Sequence, residues 1–225
     1  MALGVRATSS MSSNTGTAFA VTAPTGTTTG DVVFVIAHGN EQTTWTDNNG
    51  STPFTEDLAD YKPNASYGHV LSIFSRRIQS GDPTTYNFTK GSTGRGALIA
   101  YTVQDVNLTS IYDVAISTSG INSDGATMDA PSITTITDGA LHICLAGIDD
   151  GTITVTGFPA GYGNTVAEND QAVGVASKII TTASATGAQT FTFSSFSGRV
   201  SASFAVKPQA TVAVIRHLSL LGVGT

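Results

Sequence analysis

Charge is scarce in this chain: Asp, Glu, Lys and Arg make up 12% of 225 residues, about half the usual share. Apolar residues still reach 40%, so the composition excludes intrinsic disorder, which needs high charge and little to bury. Cysteine occurs once, as Cys144, which excludes an intrachain disulfide framework. It sits in the apolar run 141–146 with no basic neighbour to lower its pKa, and reads as a small buried hydrophobe. Basic residues are outnumbered, 10 Lys and Arg against 16 Asp and Glu, with a net charge of −6. A phosphate backbone would repel that surface on average, so neither nucleic acid nor an anionic membrane is expected as a partner. No uncharged apolar run approaches the ~20 residues of a membrane span. The opening MALGVRATSS has no apolar stretch after its arginine, so no secretory signal is expected and the chain reads as soluble and made in a cytoplasm. Helical periodicity is nearly absent.

What is present is a duplication. GDVVFVIAHGN at 30–40 is followed by VLSIFSRRI at 70–78, TYNFT at 85–89 and GRGALIAYTV at 94–103. DGALHICLAGI at 138–148 is followed by VGVASKII at 173–180, TFTFS at 190–194 and GRVSASFAV at 198–206. The order is the same, and Asp31 to Arg95 spans nearly as much chain as Gly139 to Arg199. Arg95 and Arg199, each after a glycine, read as equivalent structural residues of the two halves.

The segments read as strands. Residues 200–207 alternate apolar Val200, Ala202, Phe204 and Val206 with Ser201, Ser203 and Lys207, which predicts one face in the core and one in solvent. Phe191 and Phe193, and Tyr86 and Phe88, keep the same rhythm. Residues 32–37 are apolar without alternation, as in a central strand covered on both faces or meeting another chain. Turn signals separate the strands at 24–26, 47–50, 81–83, 124–125, 149–151 and 159–161. One weak helical turn is expected at 55–61. The expected fold is all-β: a jelly-roll-like two-sheet sandwich of about eight strands, two pseudo-repeated halves of about four, interleaved. Residues 1–20 read as an N-terminal segment or edge strand, 21–208 as the sandwich with pseudo-repeats 23–106 and 129–208, and 209–225 as an apolar C-terminal arm. Lys207-Pro208 ends the last repeat strand. Val212, Val214, Ile215, Leu218, Leu220, Leu221 and Val223 then give the arm several large side chains, each worth ~1.5–3 kcal/mol when buried. The arm is expected to lie on its own sandwich or in a neighbouring subunit, with those seven residues as the assembly interface.

Chemistry is harder to find. His38, His69, His142 and His217 show no metal-ligand or catalytic spacing. No Gly-x-Ser-x-Gly elbow occurs. Glu41, Glu56 and Glu168 fall in expected loops, and nothing singles out two as a glycosidase pair. The Asp-rich turns at 47–50 and 149–151 lack full calcium-loop spacing and read as plain turns. Trp45, with Tyr61 and Tyr67, could offer a sugar-stacking platform, although a lone tryptophan is more often a core plug. The sequence predicts no catalytic residue, no metal and no cofactor.

The strings TAPTGTTTGDVVFVIA, PTTYNFT, GALIAYTVQDV, APSITTITDGALHICLAGI, FPAGY and TFTFSSFSGRVSASFAVKP resemble a group of largely uncharacterised β-sandwich proteins of tailed bacteriophages, prophages and some bacterial surfaces. The resemblance covers residues ~18–208 and rests on strand-and-turn texture without an invariant motif; the tail beyond Pro208 departs from it. It implies a non-enzymatic virion structural protein, a head decoration or part of a head or tail fibre. Such a protein would be assembled in the host cytoplasm, with other virion proteins and further copies of itself as partners. The alternative is a carbohydrate-binding or adhesive surface module.

Overall fold

Residues 32–37 carry apolar side chains on both faces because their strand has a hydrophobic layer above it and another below. In the computed structural model, Val33, Val35 and Ala37 face one core with Phe19, Trp45, Tyr86 and Phe88. Val32, Phe34 and Ile36 face a second, with Leu141, Ile143, Leu145 and Phe204. The structure describes residues 2–13, 15–40, 43–63, 68–121, 125–148, 152–169, 172–195 and 197–210, with residues 12, 13 and 121 by backbone alone.

Sixteen strands are formed by the described residues. In the first half they are β1 (Gly4–Ser13), β2 (Ala18–Thr22), β3 (Val32–Asn40), β4 (Trp45–Asp47), β5 (Thr55–Tyr61), β6 (His69–Arg77), β7 (Thr85–Lys90) and β8 (Gly96–Gln104). The second half repeats them as β9 (Tyr112–Ile121), β10 (Thr127–Ala130), β11 (Ala140–Ile148), β12 (Val155–Gly157), β13 (Gly163–Glu168), β14 (Val173–Ile180), β15 (Gln189–Phe193) and β16 (Arg199–Val206). The first half builds a sheet β1-β8-β3-β6-β5 under a smaller one, β2-β7-β4. The second builds β13-β14-β11-β16-β9 and β10-β15-β12. Adding eight to each first-half number reproduces the second half, so the duplication is complete in topology.

Within each half the pairs nest. β1 pairs with β8, β2 with β7 and β3 with β6, all antiparallel. The second half matches with β9–β16, β10–β15 and β11–β14. A long hairpin folded over itself in this way is the jelly-roll path. The all-β sandwich architecture is therefore present, but with eight strands in each half and four sheets in all. The halves do not interleave: among the described residues no strand of one half joins a sheet of the other. Each closes its own sandwich around its own core, and the two five-stranded sheets pack back to back over the shared core. The repeats also start earlier than expected, at β1 and β9.

Two local expectations change. Thr55–Tyr61 is strand β5, paired to β6 with two register shifts; those bulges, with Asp60 at φ 39°, erase the period-two signal. Ser201 and Ser203 are buried, not solvated, because the smaller sheet covers that face of β16. Ser201 Oγ donates to the Asp129 carbonyl at 3.0 Å, which makes the burial tolerable.

Cross-strand register also fixes which residues are equivalent. Val103 and Val206 stand opposite Val32 and Leu141. Counting back, Arg199 matches Gly96, and Arg95 falls in the preceding loop. The two arginines are therefore not equivalent. Gly96 leaves space that Phe19 and Trp45 fill, since a Cβ there would lie 2.7 Å from the Phe19 ring. Arg199 instead occupies its space and donates from Nη1 to the Thr127 carbonyl.

Candidate functional site

The residues that follow β16 run along the linker between the halves. Lys207 N donates to Ile111 O at 2.8 Å, Asn107 N to Lys207 O at 3.0 Å, and Gln209 N to Asp105 O at 2.9 Å. Beside Gln209 lies a groove of about 210 Å³ that includes Arg6, Asp31, Asp105 and Leu108. Arg6 grips both oxygens of Asp31, at 2.7 and 3.1 Å, and Thr28 N adds a third bond at 2.8 Å. Leu108 is 41% exposed, and with Ile136 at 75% it makes up the exposed large hydrophobics of the described surface. The expected assembly residues Val212, Val214, Ile215, Leu218, Leu220, Leu221 and Val223 lie outside the described residues, as does His217.

The aromatic platform is not assembled. Trp45 is 2% exposed and meets Phe19 edge-on with ring centroids 5.0 Å apart. A ring so enclosed has no free face for a sugar. Tyr61 packs against the shared core between the sandwiches, and Tyr67 lies outside the described residues. Asp47 receives Phe54 N at 3.0 Å and the Asn49 side-chain amide, the bonding of a turn. Asp149, Asp150 and Gly151 are outside the described residues, as is Glu41. Glu56 and Glu168 sit on strands β5 and β13 rather than in loops. Burial, reinforced by Asp60, pushes the Glu56 carboxyl up. Cys144 is buried in the second sandwich, and desolvation raises its thiol, the opposite of a reactive cysteine.

Strand pairing does bring two histidines together, which sequence spacing could not reveal. His38 on β3 and His69 on β6 are fully buried, with ring centroids 6.2 Å apart. The His38 ring would lie 2.8 Å from a Cβ at Gly147, so it plugs the seam between the sandwiches. Desolvation lowers His69 to about 4. His142 faces the core of the second sandwich, its Nδ1 2.6 Å from the Tyr162 hydroxyl, and burial lowers it to about 4 as well.

A repeated cation–aromatic pair marks the same place in each half. The Arg76 guanidinium lies 5.6 Å from the Phe54 ring centroid, and Lys178 Nζ lies 5.7 Å from that of Tyr162. Arg76 and Lys178 are register equivalents, opposite Val33 and His142. Each borders an open polar groove, of about 270 Å³ at Arg76 and about 380 Å³ at Lys178. Arg76 is further held by Asp82 and the Thr52 carbonyl.

The least expected group is Lys90, at the end of β7. Strand alternation puts it on the same face as Tyr86 and Phe88, and it is 0% exposed. Its Nζ donates to the Asn40 carbonyl at 2.9 Å and to Asn40 Oδ1 at 3.0 Å. Two glycines make the space: a Cβ at Gly39 would lie 3.1 Å from Lys90 Cδ, and one at Gly94 2.9 Å from Nζ and 2.7 Å from Asn40 Oδ1. The alternation Tyr86, Phe88, Lys90 was the signal available in the sequence for this buried amine. Compared with models of protein families, with curated proteins and with solved structures, the chain matches none.

Proposed function

We propose that the chain is a non-enzymatic structural protein of a bacteriophage virion, an accessory surface component that decorates the head or forms part of a head or tail fibre. The observation that carries this reading is the pair of jelly rolls packed back to back over a shared core. Two closed sandwiches locked sheet to sheet make a stiff brick, useful as a spacer or surface block. A jelly roll alone is compatible with capsid components and lectins alike. The burial of Trp45 removes the residue on which the sugar-binding reading leaned. The three large cores are filled by the body's own side chains. Seven large apolar residues follow Gln209 in the sequence, and their shelter would be a second copy or another virion protein.

The test compares the full chain with one ending at Gln209. Light scattering after size-exclusion should give a multimer for the first and a monomer for the second, and only the full chain should stay with purified phage particles. Equal mass and equal retention for both would overturn the reading.

A further inference from the structure

We propose that Lys90 and Asn40 join covalently, through a spontaneous isopeptide bond that ties the two sheets of the first sandwich together. The amine and the carboxamide are already in contact, with Nζ 3.0 Å from Oδ1 of the group it would attack. The backbone holds both ends. Lys90 N donates to Thr17 O at 2.7 Å, and Asn40 N to Arg95 O at 3.2 Å. Holding the amine and the carboxamide in contact replaces a bimolecular encounter with an intramolecular step.

The duplication argues that the lysine is not there for packing. Its register equivalent is Phe193, which stands opposite Val155 as Lys90 stands opposite Trp45. Phe193 N donates to Ala126 O at 2.7 Å, as Lys90 N does to Thr17 O. The same corner of the second sandwich is thus closed by an apolar ring, 3% exposed. In the first, a buried amine is placed against a side-chain amide, with two glycines cleared around it.

The step balances without a co-reactant. Nζ, once neutral, attacks Asn40 Cγ; the new C–N bond forms and the bond from Cγ to the side-chain nitrogen breaks. The departing nitrogen takes up the two protons that the lysine ammonium gives up and leaves as ammonium ion. One cation enters and one leaves. Asn40 is only half-buried, so the product has a route to solvent. The bond would staple the end of β3 to the end of β7, the two layers that shear would separate first in a surface component.

Intact-mass spectrometry of the full chain tests this. The expected mass is lighter than the sequence by one ammonia, with a branched peptide joining Lys90 to Asn40 in the tandem spectra. Lys90→Met and Asn40→Ala should each restore their full sequence mass, while Asn40→Asp should lose water instead. A succinimide at Asn49-Gly50 would also shed ammonia, but it would persist in Lys90→Met. Full sequence mass in the wild type, or an ammonia loss that survives Lys90→Met, overturns the proposal.

Discussion

The hydroxyl of Tyr101 in the first sandwich stands 2.7 Å from Ser177 Oγ in the second, and 2.8 Å from the Asn164 carbonyl. This polar bridge lies in a largely apolar seam, and Asn164 Nδ2 donates to the same serine at 3.1 Å. Desolvation pushes the Tyr101 phenol up, which keeps it neutral. Tyr101→Phe keeps the ring but strips two partners of a hydrogen bond, a loss of about 1–2 kcal/mol. Phe204, its register equivalent, shows that a phenyl ring fits this strand position. Urea unfolding should therefore show a lower midpoint with an unchanged slope.

Gly96→Ala and Gly163→Ala should part sharply. The first Cβ would meet the Phe19 ring at 2.7 Å and Trp45 at 2.9 Å, whereas the second meets nothing within 4 Å. Overpacking around two interlocked rings costs about 1–3 kcal/mol. At Gly163 alanine fits and restricts the unfolded chain, a gain of up to about 1 kcal/mol. Melting temperatures of the two variants, compared with wild type, decide the matter.

The sequence carried the fold class because central strands print their environment directly. Residues 32–37 lack alternation because two cores flank them, and Phe191 and Phe193 alternate because only one does. The layer count was hidden in strands such as β1, which reads GVRATSSMSS, and β4 and β12 at three residues each. Polar edge strands and very short strands have too little periodicity to register. Ser201 and Ser203 misled because a side chain this small can be buried under a second sheet, and the Ser201 hydroxyl finds a backbone acceptor there. Arg95 and Arg199 misled because the second half is one residue shorter before its last strand, so a shared Gly-Arg does not mean a shared position. The site was less legible still. His38 meets His69, and Lys90 meets Asn40, only through cross-strand register, which one sequence does not state.

Asp82→Ala should be among the costlier single changes in the first sandwich. Arg76 and Asp82 form an ion pair with side chains 6% and 8% exposed, and Arg76 also caps Thr52 O at 2.6 Å. Removing the carboxylate leaves a guanidinium buried without its counter-charge, a cost of about 3–5 kcal/mol. Arg76→Met, which removes the charge along with the pair, should cost less. Lys178→Ala at the equivalent exposed position should stay within about 0.5 kcal/mol of wild type. Chemical denaturation of the three variants checks the order.

Acid should weaken the protein in a defined window. His69 and His142 are buried and neutral, each lowered to about 4 from an ordinary 6.5 by desolvation. Between those values the unfolded chain binds protons that the folded chain refuses. Stability is therefore full above pH 6.5 and falls as pH drops toward 4, by up to about 3 kcal/mol per histidine. Asp57 and Glu56 oppose this, since burial raises their carboxyls and protonating them favours the folded state. The histidines should dominate because both are fully buried. The first sandwich supplies the control: Val33 occupies the place of His142, and Phe54, just before β5, the place of Tyr162, just before β13. The double change His142→Val with Tyr162→Phe copies that arrangement and leaves no orphaned hydroxyl. Unfolding free energies measured from pH 7 to pH 4 should show a shallower slope for this variant than for wild type. An unchanged slope would mean that His142 is already charged inside the fold.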